Sequence, residues 1–303
     1  MNARELFHNM KVKAGFSSTS ETGKGKSKVS KSITHGYHCV KGKSNHAMED
    51  YVVSKFKQIN GHELGLFAIF DGHLGHDVAN YLKNNLFSNI LKQDIFWTDV
   101  QSAVKRAYQV TDEEILAQPS VVGKGGSTAV TAILIDGHRL VVANVGDSRA
   151  VLCKNGVAEQ LSVDHEPRKE RKLIESRGGF VSNLPGDVPR VDGQLAVARA
   201  FGDRSLKLHL SSEPDVLDII LDDDDDFMIL ASDGVWKVRC QPWRPLSSGA
   251  ILQSFFVDQV MSNQEAVDAV KNMKDSHNAA KQLIEDAVSR KSKDDISCIV
   301  VRF

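Results

Sequence analysis

Acidic residues stand at the ends of five apolar runs of this chain, several of them next to a glycine. They are Glu49-Asp50, Asp71-Gly72, Gly146-Asp147, Asp233-Gly234 and Asp294-Asp295. Buried carboxylates repel one another and are costly to desolvate, so a cluster of them requires a compensating charge. A strand tip holds an aspartate rigidly, and an adjacent glycine leaves room for an ion. Oxygen ligands of this kind favour Mg²⁺ or Mn²⁺ over zinc.

Each acidic pair alone is a weak signal, because Asp-Gly is also a common turn. Five acidic strand ends in one chain are harder to explain as turns, and they predict a shared metal site. Two divalent cations about 3.5–4 Å apart are a known arrangement for activating water in phosphoryl hydrolysis.

Strands must position these acids, and apolar runs bounded by Gly, Asp or Asn predict them. The predicted strands span residues 51–56, 64–70, 128–135, 139–145, 148–154, 227–232 and 296–302. Asp136-Gly137 and Asn155-Gly156 have the composition of two-residue hairpin turns. Short hairpins in series indicate antiparallel sheets rather than alternating strands and helices.

Helices are predicted in two groups, one after the second strand and one near the C-terminus. An apolar stripe with a four-residue repeat is formed by Leu74, Val78, Leu82, Leu86 and Ile90. Capping-box patterns occur at Thr98 with Gln101 and at Ser262 with Glu265. A last amphipathic helix runs through 280–288. This grouping suggests a layered fold with sheets inside and helices outside.

Composition narrows the class of protein. The 303 residues carry a formal net charge of -1, which gives no reason to expect nucleic-acid binding or an anionic membrane surface. No apolar run approaches about 18 residues, and no apolar signal segment opens the chain. The four cysteines are far apart and form no CxxC pair, so reduced thiols are expected. We expect a monomer in the cytoplasm, the nucleus or both.

The N-terminal region differs from the rest of the chain. Residues 11–31 are rich in Lys, Ser, Thr and Gly and poor in large apolar side chains. Such a segment buries too little surface to offset its ordering entropy. We therefore predict a basic flexible tail over residues 1–32 and one folded domain over 33–303.

Eight motifs follow one another in the order typical of a known family. They are MEDY, FAIFDGHLGH, GGSTAV, VANVGDSRAVL, DHEP, LAVARAFGD, ILASDGVW and SKDDISCIVVRF. Over residues 36–303 the chain resembles the PPM-type (type 2C) protein phosphatases, and most of all their plant branch. The resemblance implies an α+β fold, a four-layer α-β-β-α sandwich with two antiparallel sheets. It also implies a protein-serine/threonine phosphatase that uses water activated by two Mg²⁺ or Mn²⁺ ions to act on phosphorylated proteins.

The resemblance implies roles for the acidic strand ends. The metal ligands that it indicates are Asp50, Asp71, Asp233, Asp294 and the carbonyl of Gly72. Glu49 would hold water bound to the metals, and Asp147 would belong to a third, more weakly held ion. Thr128 is interpreted as structural support for this region.

His73 is the candidate proton donor to the departing serine or threonine oxygen, because an imidazole titrates near neutral pH. Taken alone, it could be a surface histidine that caps a helix start, but the Asp-Gly-His context favours the catalytic role. Two positions close in sequence to the proposed metal ligands depart from the family pattern. Asn45 replaces a phosphate-binding arginine and has no charge, so Lys43 or His46 could compensate in binding substrate. Lys237 replaces an acid and would weaken a third metal site by repulsion.

A segment over residues 239–260 interrupts the family pattern between SDGVWKV and MSNQEAV. We interpret it as translated intron or alternatively spliced sequence, and the rival interpretation is a functional flap near the metals. The insert also leaves a second function open. The chain could be a weakly active or inactive regulatory or binding protein that keeps the phosphatase fold.

Overall fold

The computed structural model of this protein describes residues 20–30, 32–118, 124–185, 187–236 and 260–303. Lys237 and residues 239–259 of the predicted insert lie outside the described residues, as do residues 1–19 of the predicted tail. The remaining predictions fall on described parts of the chain.

Six antiparallel strands form the first sheet. From one edge to the other they are β1 (Ser20–Lys26), β2 (Thr34–Val40), β15 (Ile296–Arg302), β14 (Asp225–Ala231), β8 (Arg149–Lys154) and β9 (Val157–Gln160). The strands β14 and β15, which lie far apart in sequence from β2 and β8, occupy the middle of this sheet. The sheet is therefore completed only when both ends of the chain come together.

Seven strands form the second sheet, which is also antiparallel. In order they are β12 (Phe201–Gly202), β5 (Gly126–Ser127), β4 (His62–His73), β6 (Ala129–Ile135), β7 (Arg139–Val145) and β13 (Asp215–Ile220), with β3 (Asp50–Ile59) also paired to β4. A separate two-stranded hairpin consists of β10 (Val181–Ser182) and β11 (Arg190–Val191). The two predicted hairpin turns are confirmed, because both residues of each turn have positive φ angles.

Helices cover the outer faces of both sheets. The described helices are α1 (Asp77–Leu91), α2 (Val100–Ala117), α3 (Arg171–Ser176), α4 (Asp233–Trp236), α5 (Asn263–Val270) and α6 (Ser276–Ser289). The apolar faces of α1 and α2 pack on the second sheet, and those of α5 and α6 pack on the first. Within the described residues, none of the helices combines the length and apolar content needed to cross a membrane.

Successive side chains of a strand point to opposite faces of its sheet, and this alternation produces three apolar layers. In β4, Leu66 and Ala68 face the helices, whereas Phe67 and Ile69 face the layer between the sheets. Strands β14 and β15 alternate in the same way between the inter-sheet layer and the α5–α6 layer. Because both faces of these strands are buried, their sequences read as continuous apolar runs. The predicted α-β-β-α sandwich with two antiparallel sheets is confirmed.

The tail predicted over residues 1–32 is wrong for Ser20–Lys26, which forms the edge strand β1. All seven of its residues pair with β2, and the hydroxyl of Thr22 donates to the carbonyl of Tyr37 at 3.0 Å. Backbone pairing with β2 stabilises this polar segment. Strand prediction from apolar runs therefore does not detect it. Lysines are common on such exposed edges because they discourage pairing with other chains.

Two predicted helix starts need correction, and one is confirmed. Leu74 does not belong to α1, since it has a φ of 55° and is 80% exposed. Asp99 rather than Thr98 caps α2, because the Asp99 side chain accepts a hydrogen bond from the backbone N–H of Ser102. The capping box that Ser262 forms with Glu265 at α5 is present as predicted.

Candidate metal centre and active site

Strand ends from both sheets converge on one acidic cluster. Asp50 opens β3 and is the direct cross-strand partner of Asp71 near the end of β4. Asp147 lies in the short connection from β7 to β8, which crosses between the sheets, and Asp233 follows β14. Oxygen atoms of Asp71, Asp147 and Asp233 lie within 4.8 Å of one another. The fold thus brings together three predicted ligands that are far apart in sequence.

Burial and mutual repulsion make this cluster electrostatically unfavourable without a cation. Burial raises the pKa of Asp71 well above its ordinary value, and Asp50, Asp233, Asp147 and Asp294 raise it further. Burial likewise raises the pKa of Asp50 to about 7, with added repulsion from nearby carboxylates. A divalent cation would relieve this repulsion, and an all-oxygen donor set suits Mg²⁺ or Mn²⁺. The residues present therefore fit the metal ions that the sequence predicts.

These raised pKa values predict an unusual pH dependence of stability. Between the ordinary Asp pKa and about pH 7, the folded protein binds more protons than the unfolded chain, so stability falls as pH rises. We expect the chelator-treated protein to be about 1–3 kcal/mol less stable near pH 8 than near pH 5.5. Thermal unfolding at both pH values, with chelator and with saturating Mn²⁺, measures this. An identical pH slope with and without metal would contradict it.

The backbone around Gly72 and Glu49 is closely packed. The N–H of Gly72 donates to the carbonyl of Glu49 at 3.2 Å, and a Cβ atom at Gly72 would lie 2.7 Å from that oxygen. The Glu49 carboxylate accepts a hydrogen bond from the N–H of Gly75 at 2.7 Å. Glu49 therefore ties the loop after β4 to the start of β3, and only glycine fits at position 72.

Asp295 clamps the loop before β3. One of its carboxylate oxygens accepts from the N–H of Gly42 at 2.7 Å, and the other accepts from the N–H of Glu49 at 2.8 Å. A carboxylate offers an acceptor to each donor, whereas an asparagine offers one oxygen. Asn45 and Lys43 lie exposed on this clamped loop.

Thr128 supports the cluster as the sequence predicts. Its backbone N–H donates to the carbonyl of Asp71 at 2.9 Å, and its hydroxyl accepts from the N–H of Asp71 at 3.3 Å. The hydroxyls of Thr128 and Ser148 are 3.0 Å apart. These bonds hold the backbone on either side of Asp71 and connect it to the side chain of Ser148, the residue after Asp147.

His165 is a supporting residue for which the sequence predicted no role. Its Nδ1 accepts from the N–H of Gly146 at 3.0 Å, so the ring proton lies on Nε2, which donates to Asp215 at 2.7 Å. Burial lowers the pKa of His165, which keeps the ring neutral and preserves this pattern. His165 thereby fixes the backbone next to Asp147. The signal was the DHEP motif, whose histidine carries no obvious chemistry on its own.

His73 closes the second sheet beside the acidic cluster. It is the last residue of β4, and its partner in β5 is Gly126. Its Nε2 lies 2.8 Å from a carboxylate oxygen of Asp203. The structure therefore gives His73 a carboxylate partner that the sequence analysis did not predict. Asp203 is the last residue of the LAVARAFGD motif.

A family model described as "Protein phosphatase 2C" matches residues 35–240. The chain belongs to this family. It is 66% identical over 304 residues to the "Probable protein phosphatase 2C 58" of Arabidopsis thaliana, with all of both chains covered. It is 62% identical to the "Probable protein phosphatase 2C 62" of Oryza sativa, covering all of this chain and 99% of the relative. The predicted membership of the plant branch is confirmed.

Solved structures with the same fold include more distant proteins. A serine-threonine phosphatase 2C from Toxoplasma gondii has a TM-score of 0.71 at 23% identity, covering 94% of this chain and 99% of the other. A C. elegans sex determining protein has a TM-score of 0.75 at 22% identity, with 89% and 64% covered. At these identities the similarity concerns the fold. Family membership and the full-length plant relatives establish the chain as a metal-dependent protein phosphatase.

Proposed function

We propose that this phosphatase removes phosphate from phosphoserine and phosphothreonine in proteins with two Mg²⁺ or Mn²⁺ ions. The residues that would hold them are Asp50, Asp71, Asp233, Asp294 and the carbonyl of Gly72. The observation that carries the proposal is the compact group of Asp71, Asp147 and Asp233, drawn from both sheets. When bound, the ions would lower the pKa of water and neutralise charge on the phosphoryl oxygens. Asp147 would serve a third, more weakly held ion beside the same group.

The protein's own side chains would bind and orient the substrate. His73 is one-quarter exposed, and we propose that a substrate oxygen approaches the ring nitrogen that does not face Asp203. In this proposal His73 donates a proton to the departing serine or threonine oxygen. Lys43 supplies a positive charge and Asn45 an amide donor for the phosphate, in place of the family arginine. When the metals are bound, Glu49 would help to orient water beside them, while its hydrogen bond with Gly75 holds the loop after β4.

Phosphate release from a phosphothreonine peptide tests the proposal and separates it from the alternative of a weakly active regulatory protein. The active enzyme should release phosphate with Mn²⁺ and lose this activity when the metal is chelated. If the full chain is inert while a form without the insert turns over, the regulatory alternative holds. Family membership favours the active enzyme.

We propose that the segment 239–260 is a dispensable insert. The family match ends at residue 240, next to the predicted start of the insert, although β15 still completes the first sheet. Val260 is buried in the same apolar cluster as Trp236, and its carbonyl accepts a hydrogen bond from Arg290 at 2.7 Å. Deleting 239–260 places Val238 directly before Met261, where it can take over the position of Val260.

We expect this deletion to preserve both the fold and Mn²⁺-dependent turnover, because loop-closure entropy changes slowly with length. Thermal unfolding and phosphothreonine hydrolysis measure the outcome. A matched control deletes 240–261, the same number of residues, and removes Met261, which is 1% exposed. The control should lose about 2–5 kcal/mol of stability, as core methionine truncations do. A deletion of 239–260 that lowers stability and turnover together would show that the insert is functional.

We further expect a monomer in the cytoplasm, the nucleus or both. The described cysteines, Cys39, Cys153 and Cys298, are free and buried, and burial raises the pKa of Cys153 to about 11. Such thiols suit a reducing compartment. Light scattering and localisation of a tagged full chain measure these expectations.

A further inference from the structure

Asp203 and His73 form a pair in which one member is buried and the other is accessible. The Asp203 carboxylate is 4% exposed, whereas the His73 ring is 24% exposed, and 2.8 Å separates Oδ2 from Nε2. The pair joins two positions that are 130 residues apart in sequence. The buried partner is therefore fixed by the fold, and the accessible partner keeps one ring nitrogen, Nδ1, that does not face Asp203.

Several backbone contacts hold Asp203 in place. Its N–H donates to the carbonyl of Gly125 at 2.9 Å, and its own φ is 45°. The preceding N–H, of Gly202, donates to the buried carboxylate of Asp112 in α2 at 2.8 Å. Lys207 lies 2.8 Å from the other oxygen of Asp112. Contacts with the sheet edge and with α2 therefore hold Asp203 in place. Its carboxylate in turn fixes the orientation of the His73 ring.

The strand beside the pair leaves it no freedom to move. A Cβ atom at Gly126 would lie 2.0 Å from Asp203 Oδ2 and 2.6 Å from His73 Nε2. The hydrogen bond is therefore packed directly against the backbone of β5. Close packing of this kind fixes the angle of the imidazole ring as well as the distance between Oδ2 and Nε2.

We propose that Asp203 is a positioning residue that acts through His73. By accepting the Nε2 proton, Asp203 leaves Nδ1 as the nitrogen that serves the departing oxygen; the inference thus rests on the proposed acid role of His73. In that step water oxygen bonds to phosphorus, and the bond from phosphorus to the serine or threonine oxygen breaks. The electron pair stays on that oxygen, which takes the Nδ1 proton of a ring protonated on both nitrogens and leaves as an alcohol. The ring keeps its Nε2 proton against Asp203, one proton of the attacking water stays on the released phosphate, and the other passes to solvent.

The test uses the dependence of turnover on the leaving group. Asn tolerates a positive φ, so Asp203→Asn keeps the backbone while its amide can turn and donate to Nε2. The Nε2 proton then loses its acceptor, and the ring carries a proton on Nδ1 alone; a neutral imidazole is a far weaker proton donor than one protonated on both nitrogens. We expect turnover of a phosphothreonine peptide to fall about 10²-fold, within the usual range for acid catalysis. Turnover of p-nitrophenyl phosphate, whose leaving group needs no proton, should change less than about threefold. An equal loss on both substrates would overturn the proposal, since it would indicate a structural role.

A matched control lies at the opposite end of the same strand. His62 opens β4 and pairs with Asp136 in the β6–β7 turn, where Asp136 also has a positive φ of 50°. Asp136→Asn makes the same chemical change about 36 Å along β4 from His73. It should leave turnover of both substrates unchanged. If Asp136→Asn also lowered turnover of the phosphothreonine peptide but not of p-nitrophenyl phosphate, the proposal would be overturned.

A double-mutant cycle separates this inference from the proposed function. If Asp203 acts through His73, then Asp203→Asn should cost nothing further in a His73→Asn background. Additive losses would overturn the inference. If His73→Asn itself shows no selective loss on the phosphothreonine peptide, the acid role of His73 fails. If His73→Asn shows the selective loss and Asp203→Asn does not, only the positioning role fails.

Discussion

Replacing Asp71 by Asn should abolish most Mn²⁺-dependent turnover while making the metal-free protein more stable. Asp71 is buried among carboxylates, and its pKa is raised by burial and by four neighbouring aspartates. The amide removes one charge from this group, so the repulsion in the metal-free protein decreases. The same change removes a proposed ligand oxygen and weakens metal binding. Opposite effects on stability and activity are characteristic of a binding site and not of a structural core.

We expect turnover to fall about 10³-fold, equivalent to about 4 kcal/mol of transition-state stabilisation. Chelator-treated Asp71→Asn should gain roughly 1–3 kcal/mol of unfolding free energy. Phosphothreonine hydrolysis and thermal unfolding measure the two effects, and Asp233→Asn should behave alike. Asp268→Asn, which changes an exposed surface ion pair with Lys271, is the control and should alter neither quantity. Unchanged activity in Asp71→Asn would mean that the metal assignment is wrong.

Gly126→Ala should lower phosphothreonine turnover about 10²-fold through a single methyl group. The new Cβ would lie 2.0 Å from Asp203 Oδ2, so the carboxylate must move away from His73. Misplacement of a catalytic group by about 1 Å can cost about 10²-fold. Hydrolysis of a phosphothreonine peptide, compared with p-nitrophenyl phosphate, measures the effect.

Gly156→Ala is the control for this substitution. A Cβ atom there meets nothing within 4 Å, so its cost is the positive φ of 77° alone. It should reduce stability by about 1 kcal/mol and leave turnover unchanged. Equal activity of the two variants would show that the His73–Asp203 geometry does not matter for catalysis.

The central strands could be predicted from the sequence because both of their faces are buried. The predicted bounds 139–145 and 296–302 coincide with β7 and β15. Edge strands were missed for the opposite reason. β1 is polar, and β13 (Asp215–Ile220) is half-buried against β7, so backbone pairing rather than apolar composition stabilises them. Leu74 was misplaced because the turn into α1 needs a left-handed residue that apolar periodicity does not reveal.

The acidic strand ends were accessible to sequence reasoning because residue type and strand position coincide in them. Asp71, Asp147 and Asp233 come together as predicted. The supporting residues were not accessible, since their roles depend on contacts across the fold. Asp203 meets His73, and Asp295 meets Gly42, through tertiary packing alone. Motif order pointed to these residues without indicating their partners.

Direct measurement of Mn²⁺ binding tests the central claim that aspartates from both sheets hold catalytic metal ions. Calorimetric titration of the full chain should show two ions bound per chain, with a third bound more weakly. Asp71→Asn should lose at least one of the two tighter ions, whereas Asp268→Asn should bind like the unaltered protein. Absence of Mn²⁺ binding by the full chain, or identical binding by Asp71→Asn, would contradict the account.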